Sequence, residues 1–172
     1  MDGLNGLERL LAERDIRACM GRYCRGVDRA DADLLASAYW PDAFDDHVAW
    51  QGQAKDLVPW LINAMQGFEH SFHMIGQCNI TFRSAREAEV ETYLVNYLQK
   101  NEDGGVKDIL QCGRYLDLFA CREGEWRIAH RRFITDGMSE VAIPAGSATE
   151  IAGAVWPRGG RVPHDPSYRI GE

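Results

Sequence analysis

Leu7, Leu10, Leu11 and Ala18, with Arg14 among them, fall at spacings of three, four and seven residues, and Ile16, Met20, Tyr23 and Val27 carry a second stripe. This periodicity predicts an amphipathic helix with its stop at Gly26. Over residues 31–39 either Asp31 or Asp33 can cap a second helix whose Leu34, Leu35, Ala38 and Tyr39 share a face, and Trp40-Pro41-Asp42 is expected to end it. Residues 43–50 read as a short strand. Residues 55–68 read as a third helix capped by Asp56, with Pro59 in its first turn, where a missing N–H costs little.

Beyond Gly67 the pattern changes to extended segments at 72–82, 88–100, 106–122 and 125–136. They are punctuated by Ser84-Ala85-Arg86, by the Gly-containing stretch 101–105 and by Glu123-Gly124. Helices followed by meandering strands predict an α+β fold with an antiparallel sheet. Residues 144–172 are rich in Gly and Pro around an isolated Trp156, so a domain over 1–143 is expected to carry a tail that packs on it or on a neighbour. A chain of 172 residues suits one such domain.

Composition removes several function classes. A net charge of -7 disfavours nucleic acid as a partner, and Arg127, Arg131 and Arg132 form too small a basic cluster to reverse this. No apolar run approaches the roughly 20 residues that span a bilayer, and the N-terminal stretch is acidic. No membrane partner and a cytoplasmic location are therefore expected. The five cysteines are odd in number and lack CxxC spacing, which points to reduced, mostly buried thiols. A nucleophilic cysteine would need a base beside it. No phosphate loop, nucleophile elbow or nucleotide fingerprint is present, so the chemistry must rest on side chains, without a cofactor.

Several of those side chains are candidates. His73 lies where the third helix gives way to strand, and imidazole exchanges protons near neutrality, the more effectively if a carboxylate fixes its tautomer; otherwise it is a core histidine bonded to a backbone carbonyl. Asp28 follows the proposed helix stop and is either such a partner or an ordinary capping residue. Tyr23, five residues earlier and about 140° round an ideal helix, can share a pocket with Asp28 only if the helix ends between them. His70 and His73 form HxxH, but without a third ligand no metal site is expected. Strict alternation sets Trp126, Ile128, His130 and Arg132 on one strand face and Arg127, Ala129, Arg131 and Phe133 on the other. Either arginine can serve an oxyanion or remain a surface cation. Asn96 lies on a largely apolar strand face, satisfied by the sheet or reserved for a ligand, and Tyr97 can wall a cavity or belong to the core.

The order of elements and the strings RYCRGVDRADADLL, FHMIG and GEWRIAHRR resemble the SnoaL-like group of the nuclear transport factor 2 superfamily. That group includes scytalone dehydratase, bile-acid 7α-dehydratase and hexachlorocyclohexane dehydrochlorinase, and the likeness spans about residues 5–140. The resemblance implies a cone of curved antiparallel sheet, closed by N-terminal helices around an apolar pocket. It also implies a His73–Asp28 pair, with Tyr23 and a final-strand arginine beside it. Arg131 takes that place by its spacing from Trp126, and Arg132 if a bulge shifts the register.

The expected function is accordingly a cofactor-independent lyase, a dehydratase or related elimination, acting on a small hydrophobic aromatic or alicyclic substrate. His73 is the expected base, Asp28 its orienting partner, Tyr23 and Arg131 the groups that hold the leaving oxygen or developing anion, with Asn96, Arg132 and Tyr97 as substrate contacts. A ketosteroid-isomerase-like enzyme and a non-catalytic binder of small hydrophobes are the rival expectations. The resemblance, with the tail around Trp156, also implies a homodimer or homotrimer.

Overall fold

The computed structural model describes residues 3–47, 49–144 and 159–171. Helix α1 (Gly6–Arg29) opens on a capping box, in which the Asn5 side chain accepts from the Leu7 and Glu8 N–H groups and Glu8 reaches back to the Asn5 N–H. It does not stop at Gly26. It continues to a left-handed Ala30, and Gly26 serves a different purpose. A Cβ at this position would lie 2.6 Å from the Leu35 backbone nitrogen, so glycine lets α1 press directly on the short α2 (Ala32–Ala36), which Asp31 caps.

Strand β1 (Tyr39–Asp46) begins earlier than the hydrophobic pattern suggests and includes Trp40-Pro41-Asp42. Proline is tolerated because β1 leaves its ladder there: Tyr39 pairs with Ile128, and pairing resumes only at Phe44 with His130. After a turn closed by the His47 N–H on the Trp50 carbonyl, β2 (Gln51–Gln53) runs straight into α3 (Ala54–Met65). Gln53, not Asp56, is therefore the N-cap, and Pro59 sits in the helix interior, where the Lys55 carbonyl loses its helical partner. Asp56 remains in the first turn, where the helix dipole favours it.

Four long strands follow, β3 (His70–Ser84), β4 (Glu87–Glu102), β5 (Gly105–Arg122) and β6 (Glu125–Pro144). The six-stranded sheet has the order β2-β1-β6-β5-β4-β3 and is antiparallel except for the parallel β1–β6 pair. The hairpin turns are those the sequence marks, with Gly104, Glu123 and Gly124 all at positive φ. Irregularities at Ile75/Cys78 in β3, Cys112/Gly113 in β5 and Leu118/Phe119 opposite β6 bend the sheet so that its concave face wraps α1 and α3. The sheet does not close on itself; the helices fill its mouth. This is the expected α+β cone, and its core of Ile16, Met20, Leu57, Val90, Phe119 and Ile128 lies between helices and sheet.

Among the described residues no helix is long and apolar enough to cross a membrane. Residues 159–171 lie against the end of α1. Arg161 donates to the carbonyls of Asp28, Met65 and Phe68, Asp165 pairs with Arg29 at 3.4 Å, and the Tyr168 hydroxyl donates to Asp31. Trp156, proposed above as an apolar contact for a neighbour, lies outside the described residues.

The Gly26 contact yields a test. Gly→Ala normally favours a helix interior by about 1 kcal/mol, but here the added methyl meets backbone, so Gly26→Ala should lose about 1–3 kcal/mol. Urea unfolding measures this, and a stabilised variant would refute the close-packing role.

Candidate active site

Asp28 lies in the last turn of α1, at the negative end of the helix dipole, where a carboxylate is disfavoured. Strand β3 compensates. Ser71 and His73 alternate along it and so face the same way. The Ser71 hydroxyl donates to Asp28 Oδ1 at 2.7 Å, the His73 backbone N–H donates to Oδ2 at 2.9 Å, and His73 Nδ1 lies 2.7 Å from Oδ1. An ionised carboxylate can only accept, so Nδ1 carries the proton and Nε2 of neutral His73 the lone pair. Burial works against the Asp28 anion, yet the hydrogen bonds from His73 and Ser71 and the attraction to the imidazole hold its carboxyl below the usual range. A cavity of about 300 Å³ between α1 and β3, lined by Cys24, Arg25, Phe72 and Ile75 among others, reaches both Asp28 and His73.

Tyr23 joins the pair although α1 is unbroken between it and Asp28. His73 bridges the two: its Nδ1 meets the carboxylate, and its ring meets Tyr23 edge-on at 6.5 Å between centroids. Burial pushes the Tyr23 phenol up, against the pull of Arg131, so it stays a neutral donor. Its hydroxyl makes no hydrogen bond of ordinary geometry among the described residues.

Arg131 reaches the same interior through a correction to strict alternation. Phe119 pairs with Ile128 but Leu118 with His130, so Ala129 is bulged and the strand's facing reverses beyond it. Trp126, Ile128, Arg131 and Phe133 thus share the buried face, while Arg132 turns outward to Asp46 at 3.2 Å. The Arg131 side chain is fully buried, bound by Asp117 in a two-pronged contact of 2.7 and 2.7 Å. Its guanidinium carbon lies 3.9 and 4.1 Å from the centroids of Tyr115 and Tyr23. Burial opposes the charge, but Asp117 and the tyrosines keep Arg131 well above its ordinary value. Its Nη1 has no hydrogen bond among the described residues.

Asn96 is buried directly opposite His73 in the β3–β4 register, with its Oδ1 likewise unbonded. Tyr97 points to the other face of β4, where its hydroxyl donates to Asp108 at 3.0 Å. The concave side therefore gathers His73, Asp28, Tyr23, Arg131 and Asn96, whereas Tyr97 and Arg132 lie apart from them. Cys19 and Cys24 are no nucleophiles, since burial pushes their thiols up to about 11 and about 12.

Residues 8–132 match the SnoaL-like domain. The chain belongs to the SnoaL-like family. Among solved structures, this SnoaL-like protein is similar to a candidate scytalone dehydratase from Novosphingobium aromaticivorans, at 20% identity and a TM-score of 0.70 over 82% of this chain and 97% of that one. It is also similar to a type 2 hexachlorocyclohexane dehydrochlorinase, LinA, at 21% identity and a TM-score of 0.71 over 83% and 99%. The LinA-type3 dehydrochlorinase from Novosphingobium barchaimii gives 21% and 0.70 over 80% and 95%. At such identities the likeness is one of fold. Among curated proteins none matches the sequence.

Sequence reasoning missed a second polar group in this SnoaL-like interior. Asp45 is fully buried, accepts from the Tyr39 hydroxyl at 2.6 Å and lies 3.1 Å from His47 Nδ1. The His47 ring stacks on Phe133 at 5.3 Å and tilts over Tyr115 at 6.1 Å. Asp117 was missed as well. Its signal was legible as a single charge in the apolar run Tyr115–Phe119, whereas nothing local distinguishes buried Asp45 from exposed Asp42.

The lowered Asp28 value sets a pH dependence. A carboxyl whose folded value is depressed contributes stability above its unfolded pKa of about 3.9 and loses it as pH falls through the folded value. Asp28→Asn should cost about 1.5–3 kcal/mol at neutral pH. The gap to wild type should narrow below about pH 4. Urea titrations of both proteins across pH 3–7 read this directly, and a gap that widens in acid would contradict it.

Proposed function

We propose that this protein is a cofactor-independent lyase that eliminates water or another leaving group from a small aromatic or alicyclic substrate. The supporting observation is the His73–Asp28 pair, in which both carboxylate oxygens are engaged so that Nε2 is left as a base. His73 Nε2 removes a proton from a carbon beside an electron-withdrawing group, and Asp28 stabilises the resulting imidazolium. The electron density that moves onto the substrate's oxygen meets the free donors of Tyr23 and Arg131, which are buried and fixed before the substrate arrives. Apolar walls supply most of the affinity, as in other small-molecule sites. The similarity to dehydratase and dehydrochlorinase folds supports the same reading.

Mass-spectrometric screening of hydroxylated aromatic and alicyclic compounds tests the reaction type. Loss of water, halide or formaldehyde is expected, whereas a product of unchanged mass would indicate an isomerase. On the substrate so found, His73→Ala should lower kcat by roughly a hundredfold to ten-thousandfold. Asp28→Asn should also lower kcat strongly while KM changes less, because the amide lacks the charge that stabilises imidazolium. Two folded variants with wild-type turnover would end the proposal.

A further inference from the structure

An elimination that expels hydroxide needs an acid as well as a base, and where the leaving oxygen lies on the face opposite the abstracted proton one imidazole cannot serve both. The interior contains a second imidazole with the attributes of such an acid. His47 Nδ1 is engaged by Asp45, itself buried and fixed by the Tyr39 hydroxyl, while Nε2 has no hydrogen bond among the described residues. Asp45 touches the His47 ring, and the nearby charge of Arg131 is neutralised by its two-pronged contact with Asp117. His47 is also placed on the same aromatic cluster as the base: its ring lies over Tyr115, Tyr115 packs on Tyr23 at 5.4 Å, and Tyr23 packs on His73. Two histidine–carboxylate pairs thus flank one set of tyrosine rings.

We propose that His47, held by Asp45 and Tyr39, is a further catalytic residue and protonates the departing oxygen. This inference rests on the lyase reading and narrows it to substrates with a basic leaving group, alcohols above all. His73 Nε2 takes the carbon-bound proton, and that C–H electron pair becomes the new C=C bond. The C–O bond breaks with its pair passing to oxygen, and the His47 Nε2 proton completes water. Exchange with solvent then returns a proton to His47 and removes one from His73.

Leaving-group dependence separates this role from a structural one. The probes are the β-hydroxy ketone that loses water to give benzylideneacetone and the para-nitrophenyl ether of the same alcohol, whose phenolate departs without help. Both yield one product by breaking the same C–O bond. His47→Gln should lower kcat on the hydroxy ketone by about a hundredfold or more. Its loss on the ether should be at least about tenfold smaller, because a weakly basic oxygen gains little from an acid. His73→Ala should fail on both. Asp45→Asn should repeat the selective pattern, and if that buried change prevents folding, His47→Gln at the β1–β2 turn carries the test alone. Equal effects of His47→Gln on both probes, or none on either, overturn the acid role while leaving the base in place. Retained turnover of both probes by His73→Ala overturns the lyase reading itself, and the present inference with it.

Discussion

A guanidinium without access to solvent organises the interior. Arg131 sits between strands that supply Asp45 on one side and Asp117 on the other, each its direct partner in register. Removing such a charge from water costs several kcal/mol, and only close, well-aligned counter-charge repays it. The two oxygens of Asp117 and the faces of Tyr115 and Tyr23 provide that compensation. The buried ion therefore ties β5 and β6 to α1 in one arrangement. It also explains why the aromatic cluster consists of tyrosines around a cation rather than of featureless hydrocarbon.

The second polar centre follows a similar logic with smaller groups. Asp28 stands where the helix dipole disfavours it, and β3 returns three donors to two oxygens. Its backbone is held as well: Arg161 donates to its carbonyl and Val162 N–H to that of Arg29, so the segment after the domain steadies the turn that presents the carboxylate. Preorganisation of this kind lets a base act without first rearranging its surroundings.

Among the described residues, three of the buried side-chain atoms without a hydrogen bond, Tyr23 Oη, Arg131 Nη1 and Asn96 Oδ1, lie in this interior. Buried donors and acceptors without partners are costly, and these three share the interior with His73. A substrate that brings an oxygen to this interior relieves that cost, which links its packing to the proposed chemistry.

The order of helices before strands, the three hairpin turns and the inner face of β4 follow from local periodicity and turn chemistry, which depend only on neighbouring residues. The likeness that pointed to His73, Asp28, Tyr23 and Arg131 likewise resides in short strings of sequence. Tertiary contact decided the rest. Gly26 reads as a helix stop along the chain but is a packing glycine because α2 presses on it. The orientation of Arg131 depends on a bulge at Ala129 that exists only in the pairing of β6 with β5. His47 and Asp45 lie two residues apart in a stretch with no distinctive pattern. They become a pair because β1 runs parallel to β6, which sets Asp45 beside Arg131 and the His47 ring over Phe133, a pairing distant in sequence that no local preference encodes.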